Sequence, residues 1–228
     1  MHKDPSTNLD PTLIKAVIFD LDGVIVDTAH YHFLAWKRLA KELGIELTEA
    51  DNEKLKGISR MESLEIILTL GGISLSDHDK EQLANKKNTW FVDYVERMVP
   101  EEIFPGVKPL LVKLKQKGIK VGLASSSRNA RTVIQLLQIQ HEFDTVVDGS
   151  MITHSKPDPE IFLLAAKRLG VDPADCVVFE DAEAGVEAAV AAGMKCVGVG
   201  SPEQLGKADK VISRTGDFPV ELLEKLNG

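Results

Sequence analysis

A chain of 228 residues, 43% hydrophobic and 27% charged, has the composition of a soluble globular protein with room for a sizeable core and one or two domains. Its net charge of -8 argues against nucleic acid as a partner, and no apolar run approaches the length of a membrane span. Cys176 and Cys196 are the only cysteines. Each opens an apolar, strand-like run, so they read as buried free thiols rather than as a disulfide or a metal pair, and the cytoplasm is the expected compartment.

The polar stretch 1–11, with Asp4-Pro5 and Asp10-Pro11, lacks the apolar run of a signal peptide and is expected to be a loose tail, through residue 12. Residues 16–19, Ala-Val-Ile-Phe, are apolar on both faces and β-branched at two positions, the mark of a buried parallel strand. It stops at Asp20, Asp22 and Gly23. A helix is predicted from about 30 to 43, where Phe33, Trp36, Leu39, Ala40 and Leu43 recur at helical spacing before Gly44. Residues 45–51 read as a connection, followed by helices at about 61–70 and 77–98. After Pro105-Gly106 a helix is predicted at 107–117. Strands at 120–124, 145–147, 176–179 and 195–199 then alternate with helices at 128–137, 159–169 and 184–192. An edge strand at 210–212 and a last helix at 220–226 complete the pattern. Alternation of this kind makes a doubly wound parallel sheet, an α/β fold.

The first crossover is far longer than a parallel connection needs. Its excess is helical and reads as an inserted cap, 29–99, seated on the carboxyl edge of a core formed by 1–28 and 100–228. That edge is where ligands bind in open parallel sheets, and the polar signals gather there. Asp20 and Asp22 lean to the same side of the first strand end, and their repulsion would be relieved by a hard, oxygen-seeking cation such as magnesium. Glu180-Asp181 ends the fourth strand and could add further oxygen ligands. Ser125-Ser126-Ser127-Arg128-Asn129 follows the second strand, offering hydroxyls and free backbone N–H groups to an anion. Simple N-capping would explain one serine of that run, not three. Lys156, after the third strand, could neutralise charge beside a carboxylate that attacks a phosphate.

These four stretches, Phe19-Asp20-Leu21-Asp22-Gly23-Val24, the serine loop, Lys156-Pro157 and Glu180-Asp181, resemble the four motifs of the haloacid dehalogenase superfamily, in the right order. The helical insertion looks like that superfamily's small cap. The likeness extends to the sugar-phosphate mutases among its members. It runs from Asp22 through Thr28 to Tyr31-His32-Phe33 and Trp36, and includes Leu55-Lys56-Gly57-Ile58-Ser59-Arg60, Ser63 and Lys86-Lys87-Asn88. Ser126 and Arg128 look like substitutions for alanine and lysine.

The resemblance implies that Asp20 is a nucleophile that becomes an aspartyl phosphate, with Ser125 and Lys156 offsetting the charge of the incoming phosphate. It implies that Asp22 is the general acid and base, and that Thr28 and His32 form a hinge relay that positions it. One Mg²⁺ would be held by Asp20, Glu180, Asp181 and the backbone carbonyl of Asp22. Trp36, Lys56, Gly57, Ile58, Ser59, Arg60, Ser63, Lys87, Ser126, Ser127 and Asn129 would face a small sugar phosphate. Arg60 is suited to fork a phosphate through two contacts. For Lys56 and Lys87 the ordinary reading of a surface lysine is a solvated charge, and their role rests on the resemblance. The implied reaction interconverts β-glucose 1-phosphate and glucose 6-phosphate through a glucose 1,6-bisphosphate intermediate that also primes the enzyme. A magnesium-dependent phosphatase of small sugar phosphates is the alternative. A phosphosugar sensor would need no nucleophile, and a dehalogenase no magnesium. A monomer is expected.

Overall fold

A computed structural model describes residues 14–226; the expected tail at 1–12 lies outside them. Strand β1, Ala16–Phe19, is fully buried along its length. The chain then forms helices α1 (Thr28–Glu42), α2 (Glu49–Glu53), α3 (Arg60–Leu70) and α4 (Asp77–Val95). It returns through α5 (Val107–Gln116), β2 (Lys120–Ser125), α6 (Ala130–Leu136), β3 (Thr145–Asp148) and α7 (Glu160–Leu169). The remainder is β4 (Cys176–Glu180), α8 (Glu183–Ala191), β5 (Lys195–Val199), β6 (Lys210–Ile212) and α9 (Leu223–Leu226).

The six strands form one sheet in the order β3-β2-β1-β4-β5-β6, every neighbouring pair parallel. The expected doubly wound parallel sheet is therefore observed. Alternation along β1 sends Val17 and Phe19 into a core with Leu110, Leu111 and Leu114 of α5 and Val133 and Ile134 of α6. Ala16 and Ile18 enter a second core with Ile161 and Phe162 of α7 and Val186 and Ala189 of α8. With helices on both faces, the sheet needs apolar residues at every position of its central strands, which is the pattern the sequence carries. Order 2-1-4 around β1 puts the reversal of winding at β1, so Asp20 stands at the switch point where such sheets bind ligands.

The insertion begins with Asp27 capping α1, its carboxylate accepting from the His30 N–H at 3.1 Å. Ser59 and Glu62 form a reciprocal capping box that fixes the start of α3. Thr48 and Asp51 form another at α2, a short helix within what the sequence reads as a connection. Helix α4 packs against α1 and α3. The way out and the way back are adjacent: Val26 and Ile103 pair antiparallel, and the Phe104 N–H donates to the Ile25 carbonyl at 3.0 Å. Tyr31 Oη also donates to Glu102 Oε2 at 2.9 Å. No helix among the described residues is long and apolar enough to cross a membrane.

Candidate active site

Asp20 leaves β1 still bound to the sheet, its N–H donating to the Phe179 carbonyl at 2.9 Å. The residue is only 3% exposed. The fully buried Lys156 ammonium donates to Asp20 Oδ1 at 2.5 Å and to Glu180 Oε2 at 2.8 Å, while the other Asp20 oxygen accepts from the Asp22 N–H at 2.9 Å. Both oxygens are thus oriented by charge or by backbone. The turn that follows demands glycine at 23: its φ is +77°, and a Cβ there would stand 2.1 Å from Asp181 Oδ2. At Gly185 a Cβ would fall 2.0 Å from Glu180 Cδ, so the first turn of α8 closes directly on that buried acid.

Carboxylate oxygens of Asp20, Glu180 and Asp181 lie within 4.8 Å of one another. Burial holds Asp181 well above the usual carboxylate range, with the charges of Glu180 and Asp20 adding to the effect. Glu180 is raised to about 7 by burial, against the pull of Lys156. Asp20 and Glu180 share the Lys156 ammonium, and the third acid, Asp181, is opposed only by the charge of Lys56. This donor set, all hard oxygen, fits a divalent cation that would restore the balance. A second, more exposed trio, His154, Asp158 and Glu160, is accounted for by local structure. Its Glu160 accepts from the Thr153 and His154 N–H groups and closes the turn before α7.

The Asp22 carboxylate is engaged elsewhere. Thr28 Oγ1 donates to its Oδ1, Ser125 Oγ approaches Oδ2 at 3.4 Å, and His32 Nε2 lies 4.0 Å from Oδ1. Burial and the neighbouring Asp20 charge raise it to about 6. His32 stacks on Phe91 with ring centres 3.9 Å apart, and its Nδ1 accepts from Lys87 Nζ at 2.6 Å. Lys87, 1% exposed, lies over Trp36 and Phe91. Burial, with the Arg60 charge adding, pushes it well below the usual lysine range. His32 is likewise pushed well down by burial and by Lys87.

Between the sheet edge and the insertion is a cavity of about 1110 Å3. Asp20, Asp22, Ser126, Ser127, Arg128 and Asp181 line it from the core, and His32, Trp36, Lys56, Gly57, Ile58, Ser59, Arg60, Ser63 and Lys87 from the insertion. Thr28, Ser125, Lys156, Glu180 and Asn129 are not among the residues that line it. Ser59 caps α3 through Glu62, and the Ser63 hydroxyl donates to the Ser59 carbonyl at 3.0 Å. Lys56 pairs with Glu53 at 2.9 Å. The loop after β2 is longer than the sequence suggests: α6 starts at Ala130, not near Arg128. Inside it the Ser127 N–H donates to Ser125 Oγ at 3.1 Å, and the Asn129 N–H to Ser127 Oγ at 3.2 Å. Asn88, to which sequence reasoning gives no role, bridges the two sides: its Oδ1 accepts from Arg60 Nη2 at 2.7 Å and from Asn129 Nδ2 at 2.8 Å.

A parallel sheet with a buried aspartate at its switch point, a buried lysine beside it and paired acids on the next strand defines a class. The haloacid dehalogenase-like hydrolase model matches residues 14–193, and the chain belongs to that family. Within it, the chain is 49% identical to Beta-phosphoglucomutase of Bacillus subtilis, over 93% of this chain and 95% of the relative. It is 37% identical to Phosphorylated carbohydrates phosphatase of Thermotoga maritima, over 80% and 83% of the respective chains. The crystal structure of beta-phosphoglucomutase from Clostridium difficile superposes with a TM-score of 0.91 at 44% identity, covering 94% of this chain and 97% of that one.

Proposed function

We propose that this cytoplasmic enzyme is a phosphomutase that interconverts β-glucose 1-phosphate and glucose 6-phosphate, with the core 1–28 and 100–228 supplying the chemistry and the cap 29–99 the grip on the sugar. The observation that carries the reading is the distribution of charge around the cavity. One anion-binding end lies at the core, around Asp20, Lys156 and the 125–129 loop. A second cationic group, Arg60, faces the same cavity from the insertion. A sugar bisphosphate needs both ends held, whereas a phosphatase needs only the first.

In this reading Asp20 attacks phosphorus and becomes an aspartyl phosphate, its carboxylate oriented by Lys156 and the Asp22 N–H. Glucose 1,6-bisphosphate supplies the priming phosphoryl group. Asp22 gives a proton to the departing sugar oxygen and takes one from the attacking hydroxyl. Its raised value, about 6, lets it hold a proton near neutrality, while the Thr28 hydroxyl supports the ionised form. Asp20, Glu180, Asp181 and the Asp22 carbonyl would hold Mg²⁺, which supplies Lewis-acid stabilisation of phosphoryl charge when bound. Lys87 and His32 support the wall between Asp22 and the sugar. The phosphatase relative motivates a second reading, the same core with water as acceptor.

The deciding experiment supplies β-glucose 1-phosphate, a trace of glucose 1,6-bisphosphate and Mg²⁺. Glucose 6-phosphate in large excess over free phosphate is the expected product ratio. Stoichiometric release of free phosphate would replace this reading with the phosphatase.

A further inference from the structure

Besides the Tyr31 to Glu102 bond at the way in and out, three side-chain hydrogen bonds among the described residues join the loops at the sheet edge to the insertion. Ser126 Oγ donates to the Gly57 carbonyl at 2.7 Å. Ser155 Oγ donates to Glu62 Oε2. Asn129 Nδ2 donates to Asn88 Oδ1. The first two fall at opposite ends of one short segment, 57–62, which contains Arg60 and the first turn of α3. Gly57 there has φ +74°, and a Cβ on it would stand 3.0 Å from the Ala182 Cβ, so the segment lies close against the core. Ser126 belongs to the loop after β2 and Ser155 to the loop after β3. Ser155 is the residue before Lys156, so the insertion is tied down one peptide from the cation that holds Asp20.

We propose that Ser126 and Ser155 are positioning residues that clamp segment 57–62 onto the core. The clamp, rather than any contact of these hydroxyls with substrate, sets how often phosphorylated Asp20 passes its phosphoryl group to a sugar instead of to water. The proposal rests on the mutase reading above. The two fates differ only in the acceptor. In each, an oxygen bonds to phosphorus, the bond from phosphorus to the Asp20 oxygen breaks, Asp20 departs as a carboxylate, and the acceptor's proton goes to the Asp22 carboxylate. A cleft that opens more often admits water and loses the bisphosphate, so closure decides the partition.

The serines are the clean side of this clamp to alter. Glu62 Oε2 also accepts from the Ser59 N–H and hydroxyl, so removing Glu62 would unmake the cap of α3 as well. The Gly57 acceptor is backbone. Deleting the Ser126 bond, neutral at both ends, shifts an equilibrium by roughly two- to twelvefold, and the Ser155 bond, made to a carboxylate, counts for more.

The test uses Ser126→Ala, Ser155→Ala, the double variant and Ser126→Thr in the full chain. With β-glucose 1-phosphate, Mg²⁺ and glucose 1,6-bisphosphate, the ratio of glucose 6-phosphate to free phosphate should fall at least twofold in Ser126→Ala and about tenfold in the double variant. Ser126→Thr, which keeps the donor, should restore it. Closure is read separately by spin labels at Leu70→Cys and Val190→Cys, both exposed, with the native Cys176 and Cys196 buried and silent. The double variant should populate longer label distances. An unchanged distance distribution overturns the clamp, as does an unchanged product ratio in an active enzyme. Should the wild type release only free phosphate, the mutase reading falls, and the label distances alone decide the clamp.

Discussion

Lys156 is the buried counter-ion of Asp20 and Glu180, and its removal should be felt first as lost stability. In Lys156→Met the stem keeps its volume, but Asp20 and Glu180 lose the ammonium that lies 2.5 and 2.8 Å from them. Breaking a buried ion pair from one side costs about 3–5 kcal/mol. For a domain of this size each kcal/mol lowers the melting temperature by about 2–4 °C, so a drop between about 6 and 20 °C is expected. The loss should depend on pH, with a definite sign. Glu180 is raised to about 7 in the folded protein, above its ordinary value of about 4.3. Between those values the native state binds more protons than the unfolded chain, so this group's contribution to stability falls as pH rises, and its cost is complete above about 7. Without the ammonium the folded value climbs further. The added cost therefore develops above pH 7, at up to about 1.4 kcal/mol per pH unit for one carboxylate. Melting followed by circular dichroism in chelator at pH 6, 7 and 8 should show a gap between wild type and variant that is widest at pH 8. Equal melting temperatures, or a gap that narrows as pH rises, would refute the account of Lys156 as the counter-ion of a strained acid cluster.

Asp20→Asn should abolish turnover while the protein stays folded; enzyme assay and thermal melting on one preparation check both. Exhaustive chelation should stop activity. Added Mg²⁺ should restore it and raise the melting temperature, by about 2.7 kcal/mol of stability at a hundredfold excess over the dissociation constant. Arg60→Ala removes a guanidinium whose charge-assisted contacts are worth about 1.5–3 kcal/mol each. It should slow glucose 6-phosphate formation at least tenfold, while hydrolysis of a small phosphoryl donor that needs only the core changes much less. Gly185→Ala drives a methyl to within 2.0 Å of Glu180 Cδ, and overpacking of that kind should cost about 1–3 kcal/mol in chemical denaturation and lower activity with it.

The sheet is legible in the sequence because its strands carry a signal that is local and redundant. Ala16–Phe19, Cys176–Glu180 and Lys195–Val199 lie within one residue of their sequence-based spans, since burial on both faces leaves a continuous apolar run. The helix after β2 starts later than its sequence suggests because Arg128 and Asn129 are acceptable helix residues; the hydroxyl-to-backbone bonds of Ser125 and Ser127 hold the loop open instead. Helix α2 escapes a reading by periodicity although Thr48 and Asp51 stand at capping-box spacing, a signal outweighed by the absence of an apolar face in Glu49–Glu53. Lys87 shows the limit most clearly. Apart from the resemblance it reads as an ordinary solvated lysine; Phe91 is its neighbour one turn along α4, but only the packing of α1 against α4 brings His32 and Trp36 to its ammonium. Asn88, Glu62 and Ser155 acquire their roles in the same way. Their partners lie on the far side of a cleft that no periodicity describes.

The adjacency of Val26 and Ile103 has a consequence for how such a molecule can change. Because exit and return are joined by a single β-bridge and by the Phe104 to Ile25 hydrogen bond, everything between them is a detour from a sheet whose strand order it does not interrupt. Lengthening, exchanging or discarding that detour leaves the neighbours of β1 where they are. Asp20 and Lys156 are carried on the fixed part of the circuit, and Arg60 and Lys87 on the exchangeable part. Two ends that meet at one bridge also mean that a substitution within the detour need not disturb the sheet edge it leaves and rejoins.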